Sequence, residues 1–511
     1  MTLWRKWQHV FRSQWLLRYE PSMLRLILRA AIAASLVVSA VSIPSCSRDK
    51  ETRQEPASEE AALLKEFKGA YAEEAPPSTG IREFEMTAKP SVVSLFEGRD
   101  MEVWAFNEQV PGPTLRVKLG ETVRLHFKNE LPQPTTIHFH GVRVSNAMDG
   151  VPGVTQPPIQ PGDEFTYEFT PKDAGTFWFH PHVRGSEQVE RGLFGTLVVE
   201  DVPSLGFSQD VVWVLDDWRL TPDGSKIDPR FNTGGDLMHD GRWGGTVTVN
   251  SRLNHELLVK PGERIRLRLV NTSNARAYAP NFEGLDAKVI AVDGMYTERP
   301  LDPAGFVLAP GNRLDLDIRF SEQQRGELFA VVDQFSSRRT HQLASIRVDG
   351  EPVVTPDFDS PAQAKIPAWE GALFTPVHTE FVLNARRGGK LGIEWLINNR
   401  PYSDYKPTSL VSGQWHRLRF TNSSGRLHPM HIHGQFFKVL TRNGKPADEP
   451  YFRDTVLLRP RDVVDVGLVP LDVGEWMMHC HILEHAESGM MTVLSVRSSD
   501  SDSIRAHAVK P

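Results

Sequence analysis

A chain of 511 residues with 40% hydrophobic and 24% charged residues has the balance of a globular protein large enough for about three domains. Its formal net charge is -6; the first 45 residues hold six of the 58 Lys/Arg and one of the 64 Asp/Glu, so the rest carries 52 basic against 63 acidic groups. That excess of acid argues against nucleic acid or an anionic membrane face as the main partner.

Residues 1–46 read as a signal peptide. Scattered basic residues (Arg5, Lys6, Arg12, Arg18, Arg25, Arg29) precede the apolar run "AAIAASLVVSAVSI", which has the length of a signal core and is too short to span a bilayer unaided. Met23 would open a compact signal by itself and is a second candidate start. Ile43 to Cys46 resembles a lipoprotein signal, with Pro44 an unusual occupant, so lipidation of Cys46, cleavage without lipid and a retained anchor are the alternatives. No Arg-Arg pair supports twin-arginine export. The expectation is an exported protein, periplasmic, lipid-anchored or extracellular. With Cys46 lipidated or removed, the other cysteine, Cys480, has no disulfide partner. Residues 47–81 are charged and contain Pro and Ser, with one possible helix at "EEAALLKEFKGAY"; they read as a polar linker or tether.

Beyond the linker the chain repeats. "LGETVRLHFKN" at 119, "PGERIRLRLVN" at 261 and "SGQWHRLRFTN" at 412 each predict a turn and a half-buried strand that ends in Asn. "QPGDEFTYEFT" at 160, "APGNRLDLDIRF" at 309 and "RPRDVVDVGLV" at 459 form a second recurring turn and strand. Spacings near 142 and 151 residues are those of a duplicated domain, not of a solenoid. The predicted fold is therefore all-β, with three consecutive β-sandwich domains at 82–203, 204–355 and 356–499 and a polar tail at 500–511.

Ten of the 18 histidines fall in four clusters: "HFHG" (His138, His140), "HPHV" (His180, His182), "HPMHIHG" (His428, His431, His433) and "HCHILEH" (His479, His481, His485). Two clusters lie in the first repeat and two in the third. On a strand, residues i and i+2 share a face, so each HxH pair offers two imidazoles to one site. In His479-Cys480-His481 the histidines then face one site and the cysteine another. Cys480, His428 and His485, with Met490 as a weak thioether, make the His₂Cys-plus-Met set of a blue-copper centre. Zinc is the alternative, but it has little use for Met. The other eight histidines suit a cluster of several coppers.

The chain resembles the multicopper oxidases, and within them the three-domain laccase-like enzymes, from about Phe84 to Val496, including "NEQVPGPTLRVKLGETV", "DGVPGVTQPPIQPG", "GTFWFHPH" and "RGLFGTLVV" besides the carboxyl-terminal motifs. The resemblance implies cupredoxin-like Greek-key domains and four coppers. Carried over, His428, Cys480, His485 and Met490 hold the type 1 copper, and His138 and His431 the type 2 copper. His140, His180 and His481 hold one type 3 copper; His182, His433 and His479 hold the other. It also implies outer-sphere oxidation of phenols, aromatic amines or low-valent metal ions, one electron at a time, near an exposed edge of His428. Four electrons reduce O₂ to two waters at the cluster. Carboxylates must supply the protons. Asp149 in "AMDGVPG" matches an acidic position near the type 2 copper, though it is also a plain turn former. Many bacterial relatives place an acid directly after the last histidine of the fourth motif, where this chain has Ala486; Glu484 and Glu487 are the nearest substitutes. Pro157 stands where fungal and plant laccases often have a cysteine.

The alternative function is a copper-binding, electron-transfer or copper-homeostasis protein of the same fold without efficient O₂ reduction; a relative that has lost its coppers is a third class. The extra eight histidines speak against the first and the filled ligand positions against the second. With 12 Met and no methionine-rich run, specialised cuprous oxidation is disfavoured. "GTFWFHPH" is expected to pack around the cluster, loops of the third domain to shape the substrate pocket, and the protein to be a monomer.

Overall fold

The computed structural model describes residues 72–499 apart from 97, 337–339, 363–372 and 374, together with 61, 64 and 67. The signal-like segment with Cys46, most of the linker and the tail lie outside the described residues. Six sheets form three two-sheet sandwiches, built from residues 80–200, 209–348 and 379–497. The described helices are short: Gly185–Glu190, Gly234–Met238 and Leu483–Glu487.

The two recurring sequence elements are neighbours in every sandwich. Glu121–Asn129 pairs antiparallel with Glu164–Phe169, Arg264–Asn271 with Arg313–Arg319, and His416–Asn422 with Val463–Leu468. Each first element also pairs in parallel with the strand that opens its sandwich. The terminal Asn explains why the repeat ends as it does. Asn129, Asn271 and Asn422 are buried, and each donates from Nδ2 to two main-chain carbonyls: Gln133 and Ile159, Arg276 and Leu308, Arg426 and Arg459. Each also accepts, at Oδ1, the N–H two residues on. One side chain thus satisfies three main-chain groups at a strand-to-loop exit, all of them buried at Asn271. Asn271→Ala strands all three and is expected to cost about 2–4 kcal/mol, measurable as a lowered denaturant midpoint.

The expectation of half-buried strands holds for the first and third copies and fails for the second: every residue of Arg264–Asn271 is buried. Its apolar positions face the core, and its arginines face other protein instead of water. Arg264 pairs with Asp317, Arg266 with Asp315 and Asp201, and Arg268 with Asp210 and Asp315. Arg268 also donates to Thr176 of the first sandwich. Alternation there marks a domain interface.

The linker is not wholly free of the fold. Phe67 is buried, its ring 4.9 Å from that of Trp415 and 5.6 Å from that of Phe452.

Candidate metal centres

Two strand pairs carry the histidine clusters. In the first sandwich His138–His140 runs antiparallel to Gly175–His180, with His138 opposite His180. In the third, His428–Ile432 runs antiparallel to Gly474–Cys480, with His431 opposite His479 and Met430 opposite Cys480. The two-residue period sorts the donors. His431, His433, His479 and His481 meet the four histidines of the first sandwich on one side, while Cys480 turns into the third sandwich's core.

All eight imidazoles converge. Ring centroids of His182, His433 and His479 lie 5.1–5.2 Å apart, and these three also share donor atoms within 4.8 Å. His138 and His431 belong to one such donor group together with His433. His481 lies 4.9 Å from His140 and 5.3 Å from His180, ring to ring, although the donor atoms of His140 and His180 group with His138.

The hydrogen bonds set which nitrogen each ring turns inward. Nδ1–H of His138 donates to the Asp149 carbonyl (2.8 Å), His180 to Pro181, His431 to Asp454 and His479 to Cys480. Nδ1–H of His433 donates to the Asp149 carboxylate at 2.9 Å. Their Nε2 atoms are left facing the centre: those of His138, His180 and His431 have no partner, and those of His433 and His479 face each other at 3.2 Å. His140 is reversed, with Nε2 on Asp454 (3.0 Å) and Nδ1 unpartnered. Orphaned buried nitrogens each cost about 1–3 kcal/mol unless something binds them. A metal cluster is what these donors fit.

The second centre is smaller. Cys480 Sγ lies 3.6 Å from Nδ1 of His428 and 3.7 Å from Nδ1 of His485, and those nitrogens are 3.3 Å apart. Nε2–H of His485 donates to the His239 carbonyl (2.8 Å), which fixes its tautomer. Met490 is buried in the same core, and its carbonyl accepts the Cys480 N–H.

One expectation about substrate access needs correction. His428 has no exposed edge: it is fully buried, and its outward Nε2 is 2.7 Å from Ser424 Oγ. The loop after His416–Asn422 folds back over it, because Asn422 Oδ1 accepts from both the N–H and the hydroxyl of Ser424. The second domain also contributes to this region. The second-domain helix Gly234–Met238 and the residues after it supply His239 to His485, the Leu237 carbonyl to Trp395 Nε1, and Asp240 to the Leu427 N–H. Trp395 packs 4.1 Å from the His485 ring.

The three carboxylates named from the sequence separate. Asp149 is buried between His138 and His433, so it does more than turn the chain. Glu484 is buried away from the cluster, with Oε1 on Asn274 and Oε2 on the Arg242 N–H; burial pushes it up to about 7. Glu487 lines a cavity of about 590 Å³ that reaches His180, His182 and His479, with Ala486 and Lys390 on the same wall. It accepts from the Ser186 N–H and Asn232, and burial raises it above the ordinary carboxylate range. The sequence reading missed Asp454, Arg313 and Ser424, none of which stands in a histidine motif. Trp178 of "GTFWFHPH" is buried, stacked 4.3 Å from His180, as packing requires.

Burial lowers the pKa of His140, His180, His182, His428, His433 and His481, and takes His479 and His485 down to about 3, so the rings are neutral and ready to ligate. Burial also pushes the Cys480 thiol well up, so its thiolate needs a cation. In the copper-free protein the unfolded chain protonates His479 and His485 near 6.5 and the folded chain only near 3, and the other buried rings shift in the same direction. Stability present above about pH 6.5 is therefore lost progressively as pH falls towards 3. Thermal melts of the copper-free chain should show a midpoint falling steadily below pH 6.5; an unchanged midpoint at pH 5 contradicts neutral burial.

Multicopper oxidase family profiles match residues 87–204, 209–351 and 374–500. The chain belongs to the multicopper oxidases. A solved multi-copper oxidase from Pseudomonas parafulva is 33% identical, covers 81% of this chain and all of its own, and superposes with a TM-score of 0.72. A Campylobacter jejuni multicopper oxidase described as a metallo-oxidase is 25% identical (TM-score 0.70; 83% and 95% covered). A laccase-like multi-copper oxidase from Ochrobactrum sp., described as active towards lignin model compounds and lignosulfonate, is 26% identical (TM-score 0.70; 83% and 100% covered). This multicopper oxidase is thus a copper-dependent oxidoreductase that couples oxidation of a reducing substrate to reduction of O₂, on three cupredoxin-like sandwiches.

Proposed function

We propose that the oxidase holds four coppers: a type 1 ion on His428, Cys480, His485 and Met490, a type 2 ion on His138 and His431, and two type 3 ions on His140, His180, His481 and on His182, His433, His479. One observation carries the reading: Cys480 and its two histidine neighbours serve different sites from one strand, and nearly every buried histidine there offers one unpartnered or inward-facing nitrogen. Copper supplies one-electron chemistry at the thiolate and reduction of O₂ among the histidines.

The residues around it divide the remaining work. Ser424 closes the outward nitrogen of His428, so a substrate docks over the loop 423–427 and gives up its electron through that hydroxyl-imidazole contact. The Cys480 peptide joins the thiolate to His479 and His481 by covalent bonds alone. Asp149 holds His433 by its carboxylate and delivers protons on the type 2 side. On the type 3 side Glu487, with its place on the cavity wall, is a better donor than Glu484, which does not line that cavity. Substrates are phenols, aromatic amines or low-valent metal ions; the Ochrobactrum relative is described as acting on lignin model compounds and the Campylobacter relative as a metallo-oxidase. Export is part of the proposal, with a lipid on Cys46 or cleavage there, and so is a monomeric state.

Copper quantification of the purified, reconstituted chain tests the assignment. About four ions per chain and an intense visible thiolate band are expected. A substrate panel run with and without added Cu(II) then ranks phenols against metal ions. A colourless chain, or one binding a single ion, overturns the proposal.

A further inference from the structure

The second domain supplies no histidine to either centre, yet one of its arginines lies against the cluster. Arg313 is fully buried, and all five of its N–H groups find acceptors. Nε–H donates to the Thr176 carbonyl of the first domain (3.1 Å). Nη1 donates to the Gly311 carbonyl and Asp454 Oδ1, and Nη2 to the Asp293 carbonyl and Asp454 Oδ2 (2.6 Å). Arg313 therefore touches all three domains, and its fork is closed by an aspartate of the third.

Asp454 in turn serves the cluster twice. Its Oδ1 accepts from His140 Nε2–H and from the Thr455 hydroxyl, and its main-chain carbonyl accepts from His431 Nδ1–H. His140 and His431 stack at 3.7 Å with their planes 10° apart, so one residue sets both rings. Two glycines record how tightly the pair is seated. Gly141, the last letter of "HFHG", has φ +82°, and a Cβ there would fall on the Arg313 guanidinium and the Asp454 carboxylate. Gly311, with φ +88°, would place a Cβ 2.9 Å from the His140 ring and 3.0 Å from that of His481. Neither position has room for a side chain.

We propose that Arg313 and Asp454 act as a clamp through which the second domain positions the oxygen-reducing centre. The clamp holds His140 in the tautomer opposite to its neighbours, with Nδ1 inward, and locks the first and third domains in register around the copper ions. Because Nδ1 lies nearer the main chain than Nε2, His138 and His140 offer donors at different depths from one short strand. Arg313 and Asp454 are positioning residues, and the inference rests on the copper assignment above.

The test uses the full-length, copper-loaded chain, with the blue band of the Cys480 centre as the check on folding. In the fully reduced wild type, nitrogen-15 NMR of the histidine rings should find His140 carrying its proton on Nε2. Asp454→Leu should keep the blue band, lose that tautomer and bind cluster copper about 10- to 100-fold more weakly in chelator competition. Asp454→Asn keeps an acceptor for His140 but not the ion pair, and Arg313→Lys keeps the charge but not the fork; both should fall between wild type and Asp454→Leu. If Asp454→Leu is colourless, these two decide. Wild-type copper affinity in all folded variants, or a His140 proton on Nδ1, overturns the clamp. A wild-type chain that loads a single ion overturns the copper assignment instead.

Discussion

Cys480→Ser abolishes the blue band and lowers turnover by about 1,000-fold or more while the chain stays folded and keeps its cluster copper. The reason is ligand chemistry. Serine matches the shape, but its hydroxyl is a hard, weakly acidic donor where a soft thiolate is needed. Cys480 is buried in the third core, 3.6 and 3.7 Å from the two imidazoles, so no solvent group can take its place. Its neighbours His479 and His481 point the other way, towards the eight-histidine cluster, so loss should be confined to one ion. Visible absorption and copper quantification of the variant, side by side, check this. A variant that stays blue removes Cys480 from the centre.

Asp149→Asn lowers steady-state turnover with O₂ by about 100- to 10,000-fold and changes its pH dependence, while copper content and the anaerobic rate of blue-band bleaching by substrate stay near wild type. The structure makes this substitution a clean one. Nδ1–H of His138 is held by the main-chain carbonyl of residue 149, which the change does not touch, and the amide oxygen of Asn can accept from His433. The turn survives too, since Asn forms it as well as Asp. What disappears is an ionisable group between two cluster histidines. Normal turnover across about pH 4 to 8 would leave Asp149 as a holder of rings and move the proton role wholly to Glu487.

The fold was legible because its signals are local. A strand alternates with period two, and a turn needs Gly, Pro or Asp at set places, so three copies of a turn-and-strand pair announced three sandwiches before any contact was known. The histidine clusters were legible for the same reason. HxH is a local spacing, and His479-Cys480-His481 already assigns its middle residue to the opposite face. Local pattern failed where the polar face of a strand met protein in place of water. "RIRLRLVN" reads as half-exposed, yet Arg264, Arg266 and Arg268 are buried against aspartates of the second domain and, for Arg266, Asp201 of the first. Burying those charges is tolerable only because each has a partner distant in sequence, and no window of the chain contains both.

The sequence by itself therefore determined the architecture, the four histidine clusters and the separation of thiol from imidazoles. All of these follow from residue type and a two-residue period. Only the tertiary structure decided which nitrogen each ring presents, because a tautomer is set by the acceptor behind the ring: Pro181 for His180, the Asp149 carboxylate for His433, Asp454 for His140. It also gave Glu484 and Glu487 different surroundings. They are three residues apart on one short helix, and their difference comes from what each meets: Asn274 and Arg242 of the second domain for one, a cavity at the cluster for the other. It closed the edge of His428 with Ser424, and it brought Arg313 to Asp454 across 141 residues. Such contacts depend on how whole sandwiches pack, and packing is a property of surfaces that no short stretch of sequence displays.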